Sequence, residues 1–247
     1  EEEELRLLLG DDFRWMPAPG SNFPVDKEAH GEAGPFANTE SPAEIEEYPW
    51  PKAADIDFSP RIAQLRNAGD FYRASGLWTP FYHNVMDLFG IEAYLMKMFL
   101  NPEVVHAVTN RVCEYYYEAN ERFFKEAGDL VDGFFFGNDF GTQQDLICGP
   151  DQFDEFIMPW FRKFTDQGHR YGHQVILHSC GAIHKVIDRL IDSGVDCLHP
   201  LQAKAAGMDA GTLAKDFGGK IAFLGGIDTQ DLLVNASPEE ITAEGER

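Results

Sequence analysis

His178-Ser179-Cys180 is the tripeptide of this 247-residue chain best suited to chemistry. It follows the apolar run Val175-Ile176-Leu177, and on extended backbone the side chains at i and i+2 point to the same side. His178 and Cys180 are therefore expected to face one cavity while Ser179 turns away. An imidazole and a thiolate on one face supply half of a tetrahedral zinc site, and a catalytic site needs one further protein ligand with the fourth position left open. That ligand lies either beyond Arg247 or at His199. A nucleophilic or simply packed cysteine beside a core histidine is the competing reading.

Other apolar runs end in the same way. Phe134-Phe135-Phe136 leads into Gly137-Asn138-Asp139-Phe140-Gly141-Thr142-Gln143, Val195-Asp196-Cys197-Leu198 into His199-Pro200-Leu201-Gln202, and Ala222-Phe223-Leu224 into Gly225-Gly226-Ile227-Asp228. A carboxylate at such a junction, half dry and half wet, can be tuned as an acid, a base or an anchor for substrate N–H groups. Asp139 and Asp228 fit that description, with a loop salt bridge or cap competing for the first and helix capping for the second. Gln143 joins them as a catalytic candidate, while Asn138, His199 and Gln202 are candidates for holding substrate. Cys113 and Cys197 read as packed core and Cys148, just before a helix, as a cap or packing residue, while His83, His106, His169, His173 and His184 fall away from strand ends and receive no role.

These residues need a frame that brings strand ends together. Short apolar runs at 71–77, 131–136, 173–177, 195–198 and 221–224 alternate with helical periodicity at 61–68, 85–128, 151–172, 183–193 and 211–217. Such alternation predicts parallel βα units, whose ligands bind beyond the carboxyl ends of the strands. No Gly-x-Gly-x-x-Gly follows any strand, which favours a closed barrel over a dinucleotide-binding sheet. The expected fold is α/β, a (β/α)8 TIM-type barrel incomplete at both termini. It divides into an irregular Pro/Gly/acid-rich segment at 1–60, packed on the barrel, and a partial barrel at 61–247. The first segment carries Phe13, Trp15, Phe23, Phe36, Tyr48, Trp50 and Phe58, too many aromatic residues for a disordered linker, and is expected to be ordered. Residues 1–10 read as the tail of a helix, and Ser237-Pro238-Glu239-Glu240 as the start of one, so the chain reads as an internal fragment.

The chain carries 20 Lys+Arg against 42 Asp+Glu, a net charge of −22 that repels phosphate backbones and anionic lipid. Nucleic acid and membranes are thus excluded as expected partners. No apolar run reaches the roughly 18 residues of a membrane helix, and a cytoplasmic location is expected. The four cysteines are too sparse for a disulfide framework.

At these residues the chain resembles the uroporphyrinogen decarboxylase superfamily. The resemblance rests on Leu77-Trp78-Thr79-Pro80-Phe81, residues 136–143, His178-Ser179-Cys180-Gly181, Gly194-Val195-Asp196, Pro200-Leu201-Gln202 and Leu224-Gly225-Gly226-Ile227-Asp228. It implies a (β/α)8 barrel with a deep cleft at the strand ends. The corrinoid-dependent methyltransferase branch is the more similar one, because its members carry His-x-Cys and a later Cys as zinc ligands, and His178 and Cys180 match the first two. The later Cys would fall beyond Arg247. What this implies is a zinc-dependent enzyme moving a methyl group between a corrinoid (cobalamin) and a thiol, with a small thiol or methylated substrate and a corrinoid protein as partners, and a homodimer as the usual assembly. The alternatives are metal-free decarboxylation of a tetrapyrrole in porphyrin biosynthesis, as in uroporphyrinogen decarboxylase, and a non-catalytic corrinoid-binding barrel.

Overall fold

The computed structural model describes residues 2–21 and 33–246; Glu1, Phe23 and Arg247, which entered the reading above, lie outside the described residues. Helix α1 (Glu2–Leu8) leads into β1 (Phe13–Trp15), then α2 (Ser59–Arg66) and β2 (Tyr72–Ser75). Three helices follow, α3 (Phe81–Phe89), α4 (Ile91–Leu100) and α5 (Pro102–Ala127), before β3 (Gly133–Gly137). Helix α6 is continuous from Pro150–Gln152 through a π-helical turn at Phe153–Ile157 to Met158–Arg170. Next come β4 (Gln174–His178), α7 (Ile187–Asp192), β5 (Cys197–His199), α8 (Ala210–Phe217), β6 (Ala222–Phe223), α9 (Leu232–Asn235) and α10 (Pro238–Gly245).

The six strands form one sheet in chain order, β1-β2-β3-β4-β5-β6, and every neighbouring pair is parallel. This is a curled half-barrel of βα units, the coarse form of the expected architecture. One strand was not foreseen. Phe13–Trp15 sits inside the segment read as irregular, yet it pairs with Tyr72, Arg73 and Ala74 as an edge strand. Among the described residues of that segment, Phe36, Tyr48 and Trp50 pack within 5.7 Å of one another and Phe36 lies on Phe89.

Side-chain alternation along the strands makes two apolar layers. All five residues of β3 are buried. Phe134 and Phe136 point outward to Phe124, Phe161 and Phe164 beneath the helices, while Phe135 points into the lumen with Ala74 and Ile176. The ends of α5 and α10 follow from local chemistry. Pro102 opens α5 at a position whose N–H would be unpaired anyway, Gly128 closes it at φ 54°, and Ser237 with Glu240 forms a capping box for α10. Pro159 has no N–H to donate back into α6, and the π turn lies immediately before it, with the Met158 N–H bonding the Phe153 carbonyl. No helix among the described residues is long and apolar enough to cross a membrane.

Helix α5 is tied to α6 through one carboxylate. Glu121 accepts hydrogen bonds from Gln167, Arg170 and Tyr171 and pairs with Lys125. Burial alone would raise its pKa, but these donors and the Arg170 charge win and hold it at about 2. The folded value lies below the ordinary carboxylate range, so the stabilisation is complete above about pH 4.5 and fades as pH falls toward 2. Glu121→Gln should therefore flatten the acid limb of the stability curve in that window, with a loss at neutral pH of about 1 kcal/mol after solvent screening. Denaturant melts at pH 3 and pH 7 check it; equal differences between wild type and variant at both would refute it.

Candidate metal centre at the strand ends

Register brings the candidate side chains together. Gly137 pairs with His178, and His178 with His199. Two residues beyond each strand pair, Asp139 therefore arrives beside Cys180, and the Cys180 N–H donates to Asp139 Oδ1 at 2.8 Å. His178 Nε2 lies 3.4 Å from Cys180 Sγ and 3.4 Å from Asp139 Oδ1. Ser179 turns the other way, fully buried, and its Oγ accepts from the Phe140 N–H at 3.2 Å. The i, i+2 expectation for His178 and Cys180 thus describes the geometry.

Ligand atoms of Asp139, His178 and Cys180 all lie within 4.8 Å of one another, and all three residues are partly exposed. The donor chemistry fits zinc, which takes carboxylate oxygen, imidazole nitrogen and thiolate sulfur. The spacing fits as well: usual zinc bond lengths give tetrahedral edges of about 3.3 Å between N and O and about 3.6 Å between N and S. Of the places named for a third ligand, His199 does not fill this one. It lies behind His178, Nδ1 to Nδ1 at 2.9 Å, where one imidazole donates and the other accepts. Burial, then the neighbouring His178 charge, lowers the His199 pKa to about 4, so His199 is neutral. With His199 accepting at Nδ1, a neutral His178 carries its proton on Nδ1 and turns the Nε2 lone pair toward Cys180 and Asp139, the form that binds a metal; the opposite tautomer donates from Nε2 to Asp139 instead.

Electrostatics at the cluster are uneven. Burial pushes the Cys180 thiol up to about 11, reinforced by the charge of Asp139 and a hydrogen bond to it. For Asp139 burial acts upward too, but it is outweighed by hydrogen bonds from His178 and the Cys180 N–H and by the charges of His178 and His83, which hold the carboxyl below its ordinary value. His83, given no role from sequence, is therefore an electrostatic neighbour of the cluster. Without a cation the site is a protonated thiol beside a carboxylate; a cation would reverse the balance for the thiol.

The other candidates occupy distinct places. Asn138 is 1% exposed and ties the loop together, its Nδ2 donating to the Thr79 carbonyl and its Oδ1 accepting from the Tyr82 N–H. Gln202 Oε1 accepts from the Gly181 N–H at 2.7 Å and so holds the chain just after Cys180. Gln143 is exposed, and its backbone carbonyl accepts from the Ala206 N–H. Asp228 accepts from the backbone N–H groups of Gln230, Asp231 and Leu232 and pairs with Lys204 at 3.4 Å, an arrangement that anchors the loop before α9. Cys113 and Cys148 are buried, and Cys197 faces the lumen layer. His106, His169 and His184 pair with Glu155, Asp196 and Asp216, and His173 is buried.

Sequence reasoning missed the wall of rings beside this cluster. Trp15, Trp78 and Phe135 touch pairwise, Trp78 also touches His178 at 5.3 Å, and Phe135 touches His199 at 5.3 Å. Trp78 lies across β3 because residue 137 is glycine; a Cβ there would overlap the indole. The apolar-aromatic alternation of Phe13 and Trp15 was the available signal.

No curated protein sequence matches the chain. Among solved structures, a methyltransferase from Methanosarcina mazei is similar over 98% of this chain and 72% of that one, with a TM-score of 0.66 at 14% identity. That likeness shows the fold. The family profile described as uroporphyrinogen decarboxylase (URO-D) matches residues 81–247, which include both β3 and β4 and the loops that carry Asp139, His178 and Cys180. The chain belongs to the uroporphyrinogen decarboxylase (URO-D) family.

Proposed function

We propose that this chain is the catalytic part of a zinc-dependent methyltransferase that moves a methyl group between a corrinoid carrier and a thiol. The observation that carries the reading is the convergence of Asp139 Oδ1, His178 Nε2 and Cys180 Sγ at the open end of the strands. A nitrogen, oxygen and sulfur donor set of this kind leaves one tetrahedral position for substrate. Zinc bound there would stabilise a substrate thiol as its thiolate. The chain's own contribution is orientation: His199 sets the His178 tautomer, the Cys180 N–H fixes Asp139, and Gln202 holds Gly181 so that the sulfur stays on the lumen side. Phe135 and Trp78 back the two imidazoles and keep water from that flank.

A second reading, decarboxylation of a tetrapyrrole, is favoured by the family that matches residues 81–247. The site's charge speaks against it, since among the described residues no Lys or Arg pairs with Asp139, His178 or Cys180, and a polycarboxylate substrate would meet a carboxylate instead. The test is metal analysis of the purified protein with an assay of methyl transfer from a methylated corrinoid to a thiol. Near-stoichiometric zinc with turnover is expected. Metal-free protein that releases CO2 from uroporphyrinogen would establish the second reading in its place.

A further inference from the structure

We propose that the Trp15, Trp78 and Phe135 rings beside the Asp139, His178 and Cys180 cluster form a seat for a methylated onium cation, a quaternary ammonium or tertiary sulfonium head group. This goes beyond the methyl-transfer reading, whose own substrates are a corrinoid and a thiol, and adds a ligand subsite beside the metal cluster. The ring centroids are 5.0, 5.5 and 5.7 Å apart. Their planes are inclined by 54°, 56° and 76°, so no ring is covered face to face by another. A cation about 4 Å above the centre of that triangle lies about 5 Å from each centroid, inside the range of roughly 6 Å in which a ring attracts a cation lying over its face. Trp15 is 44% exposed, Trp78 is half-buried and Phe135 is the buried base, so the seat opens outward.

Charge selects a cation for this seat. The cation–π pairs of the described residues involve Phe58, Phe71, Trp160, Tyr171 and Phe217, so no Lys or Arg covers these three rings. The arginines nearest Trp15, Arg6 and Arg14, are bridged to Asp11 and Glu3, and Arg14 stacks on Phe71. Beyond Trp78 lie His178 and then the Asp139 carboxylate, an anion two rings away from the onium charge. A net charge of −22 enriches cations at the mouth. The rings can hold an onium group without hydrogen bonds, which such a head group cannot donate from its centre.

The test uses calorimetric titration of the protein at constant ionic strength with choline and with its uncharged isostere 3,3-dimethylbutan-1-ol. Choline is expected to bind saturably and at least tenfold more tightly than the isostere, and Trp78→Leu to weaken choline by at least tenfold. Trp15→Leu, at the exposed edge, provides a second variant that keeps the test decisive if the first fails to fold, and the same direction is expected. Equal affinity for the two compounds, or binding of neutral anisole without binding of choline, would overturn the seat and mark a stacking surface for an uncharged ring. Because binding is read without turnover, zinc-loaded protein with no choline affinity overturns the seat alone. Choline affinity in protein without zinc or methyl transfer overturns only the methyl-transfer reading.

Discussion

Replacing Cys180 or His178 with alanine is expected to lower zinc affinity by at least about a hundredfold and to abolish methyl transfer, while the fold persists. Zinc in small protein sites is held by roughly 10–16 kcal/mol shared among its ligands, so one ligand accounts for about 3 kcal/mol, about two decades in affinity. The two side chains are partly exposed at the end of β4, and neither anchors the buried layers, so melting temperature should change little. Asp139→Asn separates charge from shape: it keeps the acceptor for the Cys180 N–H but removes the anion, and it should fall with the ligand variants if the carboxylate binds metal. His199→Ala should cost about 10- to 100-fold, as expected for a group that only orients a ligand. The sign of the pH dependence follows from the thiol. Cys180 is protonated up to about 11 in the metal-free protein, first because it is buried and then because Asp139 lies beside it. A proton must leave when zinc binds, so affinity should strengthen by up to tenfold per pH unit between about pH 6 and 9. Competition titrations with a chromophoric chelator measure both effects. Affinity that is flat with pH, or unchanged in Cys180→Ala, would remove Cys180 from the metal site.

The parts of this site that were legible in the sequence are those set by local periodicity. His178 and Cys180 share a face because strand side chains alternate, and that needs no knowledge of neighbouring strands. The alternation of short apolar runs with helices was equally local, and it yields the parallel sheet. What escaped was stagger. Asp139 meets Cys180 only because Gly137 stands opposite His178, and nothing in either strand's own sequence sets that register. Strand β1 escaped for a different reason. Three residues between Gly10 and the Pro17-Ala18-Pro19 stretch carry too short a pattern to be told from a loop, and its pairing with β2 comes from tertiary contacts. His83 received no role because it falls away from any strand end, yet its helix α3 starts soon after β2 and carries it back toward Asp139. The amides misled in the opposite direction. Polar residues at strand ends were read as facing substrate, whereas Asn138 and Gln202 hydrogen-bond the backbone that holds the reactive side chains in place.

The same backbone leaves Gly181 no room for a side chain. Gly181 adopts φ 90°, a region that costs an L-residue roughly 1–2 kcal/mol, and an added Cβ would run into the Gly141 backbone. The reciprocal position is also blocked, because a Cβ on Gly141 would stand 2.6 Å from the Ala182 nitrogen. The two loops are further clasped by the Ala182 N–H on the Thr142 carbonyl at 2.7 Å, so neither can retreat without breaking that bond. Gly181→Ala should therefore combine the conformational cost with overpacking of about 1–3 kcal/mol, for a total of about 3 kcal/mol. In a chain of this size that corresponds to a fall in Tm of about 6–12 °C. It should also weaken zinc, since the Gly181 N–H that Gln202 holds is displaced along with the Cys180 sulfur next to it. Gly172→Ala is the matched control: φ is 78° there, but nothing lies within 4 Å of the new methyl group, so only the backbone cost of about 1 kcal/mol applies. A Gly181→Ala protein that melts no lower than Gly172→Ala would show that the clasp between the loops after β3 and β4 can yield, and with it the geometry that keeps Asp139 beside Cys180.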